Sequence, residues 1–238
     1  MQNKNKKVSF RHLGLIDYKE AWDLQTGFFQ SVVNKKINNR ENPDRPEATS
    51  NYLFFCQHPH VYTLGKSGKA AHLLASEAFL KNKQVSYYEI NRGGDITYHG
   101  PGQIVAYPIL DLDNFFTDIH KYMRFLEEAV IRTCKDFNVE AGRIPGLTGV
   151  WIDSENAAKA RKIAAFGVKT SRWVTMHGLA FNINPDLGFF GNIIPCGITD
   201  KGVTSLAVEM GETPDIQAAE AALKKHLATV FEMEIIDF

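Results

Sequence analysis

The chain has 238 residues, 44% hydrophobic, 23% charged and 11% aromatic, proportions that suit a globular protein with a sizeable core and exclude a disordered or fibrous one. Its 27 basic and 27 acidic side chains cancel, which argues against a nucleic-acid footprint or a polybasic membrane arm. The polar, basic Met1–Lys7 is followed by no apolar segment, no run approaches the roughly 18 apolar residues of a membrane span, and Cys56, Cys134 and Cys196 form no CxxC pair; the expectation is a cytoplasmic protein with free thiols, not a disulfide scaffold or zinc ribbon.

Tyr18–Ile37 sets Ala21, Gln25, Phe28, Phe29, Val32, Val33 and Ile37 near helical spacing, and the Pro-containing Asn38–Thr49 after it predicts an exposed loop. Short β-type runs follow at Tyr52–Cys56, Val61–Leu64, Val85–Ile90 and Ile104–Leu110. Asp118–Phe137 predicts a helix with Ile119, Met123, Leu126, Val130 and Phe137 on one face and Thr117 as its cap. Three more strands are expected at Thr148–Ile152, Lys162–Phe166 and Met176–Ile183. Thr213-Pro214 then predicts the start of a helix carrying Ile216, Ala219, Leu223, Leu227 and Val230, and Glu234–Phe238 an edge strand. Strands cluster instead of alternating with helices, so the expected class is α+β, a mixed sheet flanked by helices, with residues 1–238 as one catalytic domain.

Three stretches carry candidate chemistry. Arg92-Gly93-Gly94-Asp95-Ile96-Thr97-Tyr98-His99-Gly100-Pro101-Gly102-Gln103 holds four glycines, which let backbone N–H groups approach a ligand closely, with Arg92, Tyr98 and His99 able to orient it. Its spacing is neither a Walker A loop nor GxGxxG, and a pair of tight turns around a short strand explains it equally well. Cys196, between Pro195 and Gly197, sits where a turn can present a thiol, whereas Cys56 and Cys134 fall in apolar or helical runs and read as core residues. Lys162–Lys169 and Met176–Asn184 read as two strands; small residues at Ala164, Ala165, Gly167, Gly178 and Ala180 leave room for an acyl chain, or serve close packing in a hairpin.

A thiol of ordinary pKa near 8.5 is only a few per cent thiolate at neutral pH and needs an activator. His99, His177 and Lys162 are the candidates. An ammonium about 4 Å away supplies about 4 kcal/mol at an effective dielectric of about 20. Lowering the thiol pKa by two units needs roughly 2.7 kcal/mol. One close lysine is enough, a histidine could serve, and spacing does not choose between them.

Five segments in order, Arg92–Leu112, Gly146–Asp153, Lys162–Lys169, His177–Asn184 and Ile193–Ile198, with Cys56–Gly68 before them, resemble the bacterial octanoyltransferases of lipoate synthesis (octanoyl-[acyl-carrier-protein]:protein N-octanoyltransferases). The resemblance covers about 51–206. It implies a biotin/lipoate protein ligase-like fold, with Cys196 as the acyl-thioester cysteine and Lys162 as its activating lysine. Arg92, Gly93, Gly94, Asp95, Ile96, Thr97, Tyr98, His99, Ala165, Phe166, Gly167, Gly178, Leu179 and Ala180 match substrate-binding segments, with His177 as a possible auxiliary group. The implied donor is acyl carrier protein, and the acceptors are lipoyl domains of 2-oxoacid dehydrogenase acyltransferase subunits and the glycine cleavage H protein. No ATP or metal, no nucleic acid and no membrane are implied, and a monomer is expected. Gln57 departs from the acidic residue many relatives carry before the His-Pro pair, and Asn38–Thr49 is longer than expected. Lys66, Lys69 and Lys169 are candidates for a basic patch facing an acidic carrier. An ATP-dependent lipoate or biotin ligase, a thioester hydrolase and a non-catalytic carrier-binding module are the alternatives.

Overall fold

The computed structural model describes residues 4–194 and 201–238. A long sheet carries the molecule in the order β12 (Glu234–Asp237), β1 (Lys7–Leu15), β2 (Asn51–Gln57), β6 (Gln103–Ile109), β10 (Val174–Asn182), β9 (Arg161–Ser171), β8 (Leu147–Ile152) and β7 (Gly142–Ile144). β1 lies parallel to both β12 and β2, and the remaining neighbours are antiparallel. β11 (Gly202–Val203) joins β9 in parallel at Arg161 and Lys162, just beyond the point where β10 ends. A separate sheet, β4 (Ser86–Glu89), β3 (Val61–Leu64) and β5 (Ile96–His99), carries the glycine-rich segment.

Helix α1 (Tyr18–Glu41) buries Tyr18, Ala21, Gln25, Phe29, Val32 and Val33 on one stripe and covers one face of the long sheet, against Phe54, Val105, Tyr107, Met176 and Ala180. Asp17 caps it by accepting the N–H groups of Lys19 and Glu20. The other face packs on α3 (Ile119–Asp136) and α5 (Ile216–Phe231), with Leu126, Val130, Leu223 and Leu227 completely buried against Leu53, Ile104 and Phe181. Short helices α2 (Glu77–Asn82) and α4 (Leu206–Met210) complete the α-helices among the described residues. Alternation along β10 explains the two cores: Leu179 and Phe181 point one way, Ala180 the other.

Several boundaries differ from expectation. α1 continues through Asn38–Glu41 before the exposed loop, because exposed Asn and Arg side chains do not by themselves stop a helix anchored by its buried stripe. Asp118, not Thr117, caps α3, accepting from Lys121 N–H at 3.0 Å; Asp215, not the Thr213-Pro214 pair, caps α5. The β9–β10 hairpin turns through Arg172 and Trp173, both at positive φ, as a tight hairpin turn requires but with neither Asn nor Gly to advertise it. Cys56 and Cys134 are fully buried core residues, and burial pushes the Cys134 thiol up to about 12.

Candidate active site

The strands bring the sequence-predicted residues to one cavity of about 580 Å³, inside the range of about 300–1,000 Å³ common for small-molecule sites. Arg92 through His99, Lys162, Ala165 through Gly167 and His177 through Ala180 line it. Cys196 lies outside the described residues. The stretch that contains it is bracketed by described residues at the cavity: Phe190 lines it on one side and Lys201, Gly202 and Val203 on the other. Both flanks are tied down. Ile194 N–H donates to the His72 carbonyl at 2.9 Å, Val203 lies opposite Lys162 in β11–β9, and Thr204 N–H donates to the Lys162 carbonyl at 2.9 Å.

The glycine-rich segment is held as a fixed wall. Lys66 N–H donates to the Arg92 carbonyl, Ser67 N–H to that of Gly94 and Gly93 N–H to that of Val168. Gly167 makes this approach possible, since a Cβ there would lie 2.9 Å from both Arg92 Cδ and the Gly93 carbonyl oxygen. Arg92 donates to the Thr63 carbonyl and hydroxyl at 2.7 and 2.9 Å, and Asp95 accepts from Ile96 N–H and is paired with His72 Nδ1, each at 2.6 Å. These two charged side chains therefore shape the wall. Gln57, the departure in the earlier motif, accepts Gly102 N–H on its Oε1 at 2.8 Å, a duty an amide and a carboxylate share.

Three histidines lie near one another at this wall, and all are neutral. His58 Nδ1 donates to the Ile16 carbonyl, so its Nε2 accepts the Tyr107 hydroxyl proton at 2.7 Å; burial brings its pKa down to about 4. Burial, then the charges of Arg92 and Lys169, takes His177 to about 3, and burial holds His99 well below its ordinary value. Carbonyls fix the His99 tautomer. Asn182 Nδ2 donates to the Thr204 carbonyl, so its Oδ1 faces Gln103; Gln103 Nε2 donates to that oxygen and to the Tyr98 carbonyl, leaving Gln103 Oε1 for His99 Nδ1. Nδ1 thus carries the proton and Nε2 the lone pair. His177, at φ 62, has both ring nitrogens buried without a partner among the described residues, and its backbone N–H donates to Gln25 Oε1.

A neutral imidazole supplies no positive charge to a neighbouring thiolate. Lys162, the third candidate left open by the sequence, lines the same cavity. Among the described residues no group of three or more His, Cys, Asp and Glu has the arrangement of a metal site, and no helix is long and apolar enough to cross a membrane. Lys66 and Lys69 are exposed, while Lys169 is half-buried with its ammonium 5.1 Å from the Phe29 ring centre.

Sequence reasoning overlooked several wall residues. Tyr18, stacked on His99 with ring centres 5.9 Å apart, comes from α1, far away in the chain and with no local signal. Tyr107, Asn182, Gln103 and Trp151 also line the cavity. All four sit inside segments that resembled the family, without being singled out within them.

Residues 17–228 match the family described as "Lipoyl protein ligase A/B catalytic domain". An octanoyltransferase of Cytophaga hutchinsonii is 63% identical over 235 residues, covering 98% of this chain and 96% of the relative. One of Bacteroides fragilis is 49% identical, covering 90% and 93%. Among solved structures, the bipartite lipoate protein ligase of Thermoplasma acidophilum superposes with a TM-score of 0.69 at 14% identity, covering 99% of this chain and 86% of that one. A lipoate-protein ligase A bound with ATP gives 0.68 at 14% identity, covering 98% and 88%. At such identities the structural likeness speaks for the α+β fold alone.

Proposed function

The chain belongs to the lipoyl protein ligase A/B catalytic-domain family and, with octanoyltransferases as its relatives, is an acyltransferase; on that premise we propose that it moves an octanoyl group from acyl carrier protein to a lysine of a lipoyl domain through a thioester on Cys196. The observation that carries this reading is the company Lys162 keeps. It lines the cavity with two neutral imidazoles, and β11, which follows the Cys196 stretch, pairs with it directly.

In the first half-reaction the Cys196 thiolate attacks the carbonyl carbon of the carrier-bound thioester. The carbon–sulfur bond to the carrier breaks, and the carrier sulfur leaves as a thiol after taking a proton from the Lys162 ammonium, which leaves Lys162 as the amine. In the second half a neutral lysine amine of the acceptor attacks the same carbon, Cys196 sulfur leaves, and the amine gives up one proton as the amide forms. Lys162 as ammonium stabilises the thiolate first; as amine it takes the proton later. Thioester to amide runs downhill, so the reading needs neither ATP nor a metal. The apolar chain lies along the small residues Ala165, Gly167, Gly178 and Ala180. A single catalytic domain acting in the cytoplasm, as a monomer, completes the reading, with 2-oxoacid dehydrogenase and glycine cleavage lipoyl domains as acceptors.

Incubating the protein with octanoyl-acyl carrier protein and an apo lipoyl domain tests it. The expected product is the octanoyl amide on the acceptor without added ATP. Carrier turnover without amide would instead show a hydrolase, strict dependence on ATP and free octanoate a ligase, and carrier binding with no turnover a docking module.

A further inference from the structure

Trp151 and Lys162 are register partners across β8 and β9, next to a bulge. Between the pairs Val150–Ala164 and Trp151–Lys162 the partner strand holds one extra residue, Ile163, and such a bulge re-aims the side chains beside it. Here Lys162 Nζ lies 4.6 Å from the centre of the Trp151 ring, within the roughly 6 Å over which an aromatic face attracts a cation. Trp151 is 1% exposed, so water screens that attraction little.

We propose that Trp151 is the positioning residue of Lys162: its indole face holds the ammonium in the pose from which Lys162 activates the thiol. This rests on the role given to Lys162 above. Two further features support it. At Gly149, φ 146, a Cβ would lie 2.9 Å from Trp151 Nε1 and 3.0 Å from Lys162 Cε, so bare backbone walls both side chains together; Gly149 is itself pinned by its N–H donating to the fully buried Glu127 at 3.1 Å. The indole Nε1–H is buried and has no acceptor among the described residues. An unpaired buried donor is unfavourable, and phenylalanine would occupy the position without one. What tryptophan offers in exchange is the stronger face for a cation.

The test is the pH dependence of Cys196 alkylation by iodoacetamide, mapped by peptide mass, together with the rate of acylation by an octanoyl thioester. Wild type is compared with Trp151→Leu, Trp151→Phe, Lys162→Met and the Leu/Met double variant. Trp151→Leu is expected to raise the apparent thiol pKa by about one unit and slow acylation about tenfold. Trp151→Phe, which keeps a face, shifts both less, and Trp151→Leu adds nothing once Lys162 is Met. A wild-type profile for Trp151→Leu, undiminished shifts in the Met background, or Phe as damaging as Leu each overturn the proposal. If Lys162→Met itself leaves the profile unchanged, the role of Lys162 falls and takes this proposal with it; a shift for Lys162→Met with none for Trp151→Leu sinks the part given to Trp151 alone. Should Trp151→Leu not fold, Trp151→Phe carries the same cycle, and its smaller shift must vanish in the Met background.

Discussion

Gln103 Oε1 accepts the Nδ1 proton of His99 across 3.2 Å, and the chain of amides behind it, ending on the Thr204 carbonyl, admits no other orientation. His99 therefore turns an unprotonated Nε2 away from Gln103. In long-range nitrogen–proton spectra His99 is expected to show the Nδ1–H tautomer at neutral pH and no titration between pH 8 and 5. An Nε2–H signal, or titration near the ordinary histidine value, would contradict the assignment.

Acid stability follows from the same burial. His58 at about 4, His177 at about 3 and His99 well below its usual value all lie under the unfolded-state pKa of about 6.5. The unfolded chain then binds more protons below that pH, so stability is complete above about pH 6.5 and falls as the pH drops toward the folded values. His58 and His177 each contribute about 1.4 kcal/mol per pH unit near pH 5, about 3 kcal/mol per unit together, and His99 adds to the slope in the same direction. Urea unfolding at pH 7 and pH 5 measures this, and His177→Asn, a residue that tolerates positive φ, is expected to reduce the slope by about 1.4 kcal/mol per pH unit. A flat profile from pH 7 to 5 would contradict it.

Gly167→Ala sets a methyl group against Arg92 and the Gly93 carbonyl. The bond from Gly93 N–H to the Val168 carbonyl, 2.9 Å, is expected to break as the glycine-rich wall moves. A shift of about 1 Å in a substrate-positioning wall costs on the order of 100-fold in rate. Steady-state transfer kinetics beside a thermal melt separate a moved wall from a damaged fold: kcat/KM falls far more than the melting temperature suggests.

Acyl length is the fourth prediction. Each buried methylene contributes about 0.8 kcal/mol, so an octanoyl donor gains about 3 kcal/mol over a butanoyl donor, on the order of 200-fold in kcat/KM. Competition between the two carrier-bound thioesters reads that ratio directly, and equal rates would remove the cavity as the acyl site.

Much of the architecture was legible from periodicity. The buried stripe Ala21, Gln25, Phe29, Val32 and Val33 announced α1, and Val61–Leu64 is bounded as its residues predict. β1 was not: Arg11 and His12 are exposed and only Val8 is fully buried, so its strand character comes from parallel pairing with distant Asn51–Gln57. The small residues of β9 and β10 looked like either an acyl channel or hairpin packing; they lie in a hairpin, and several line the cavity. The motif order pointed to segments whose described residues line one cavity. It did not reveal that His99 and His177 are neutral, since that follows from burial, nor that Trp151 lies beneath Lys162, since that follows from a bulge.

Transfer through Cys196 requires a covalent acyl group on one sulfur. The most direct measurement is the intact mass of the protein after incubation with octanoyl-acyl carrier protein and no acceptor, followed by peptide mapping. A gain of one octanoyl group on Cys196 is expected, absent in Cys196→Ser and discharged on adding an apo lipoyl domain. Full transfer with no adduct at any time, or an adduct on another residue, would contradict it.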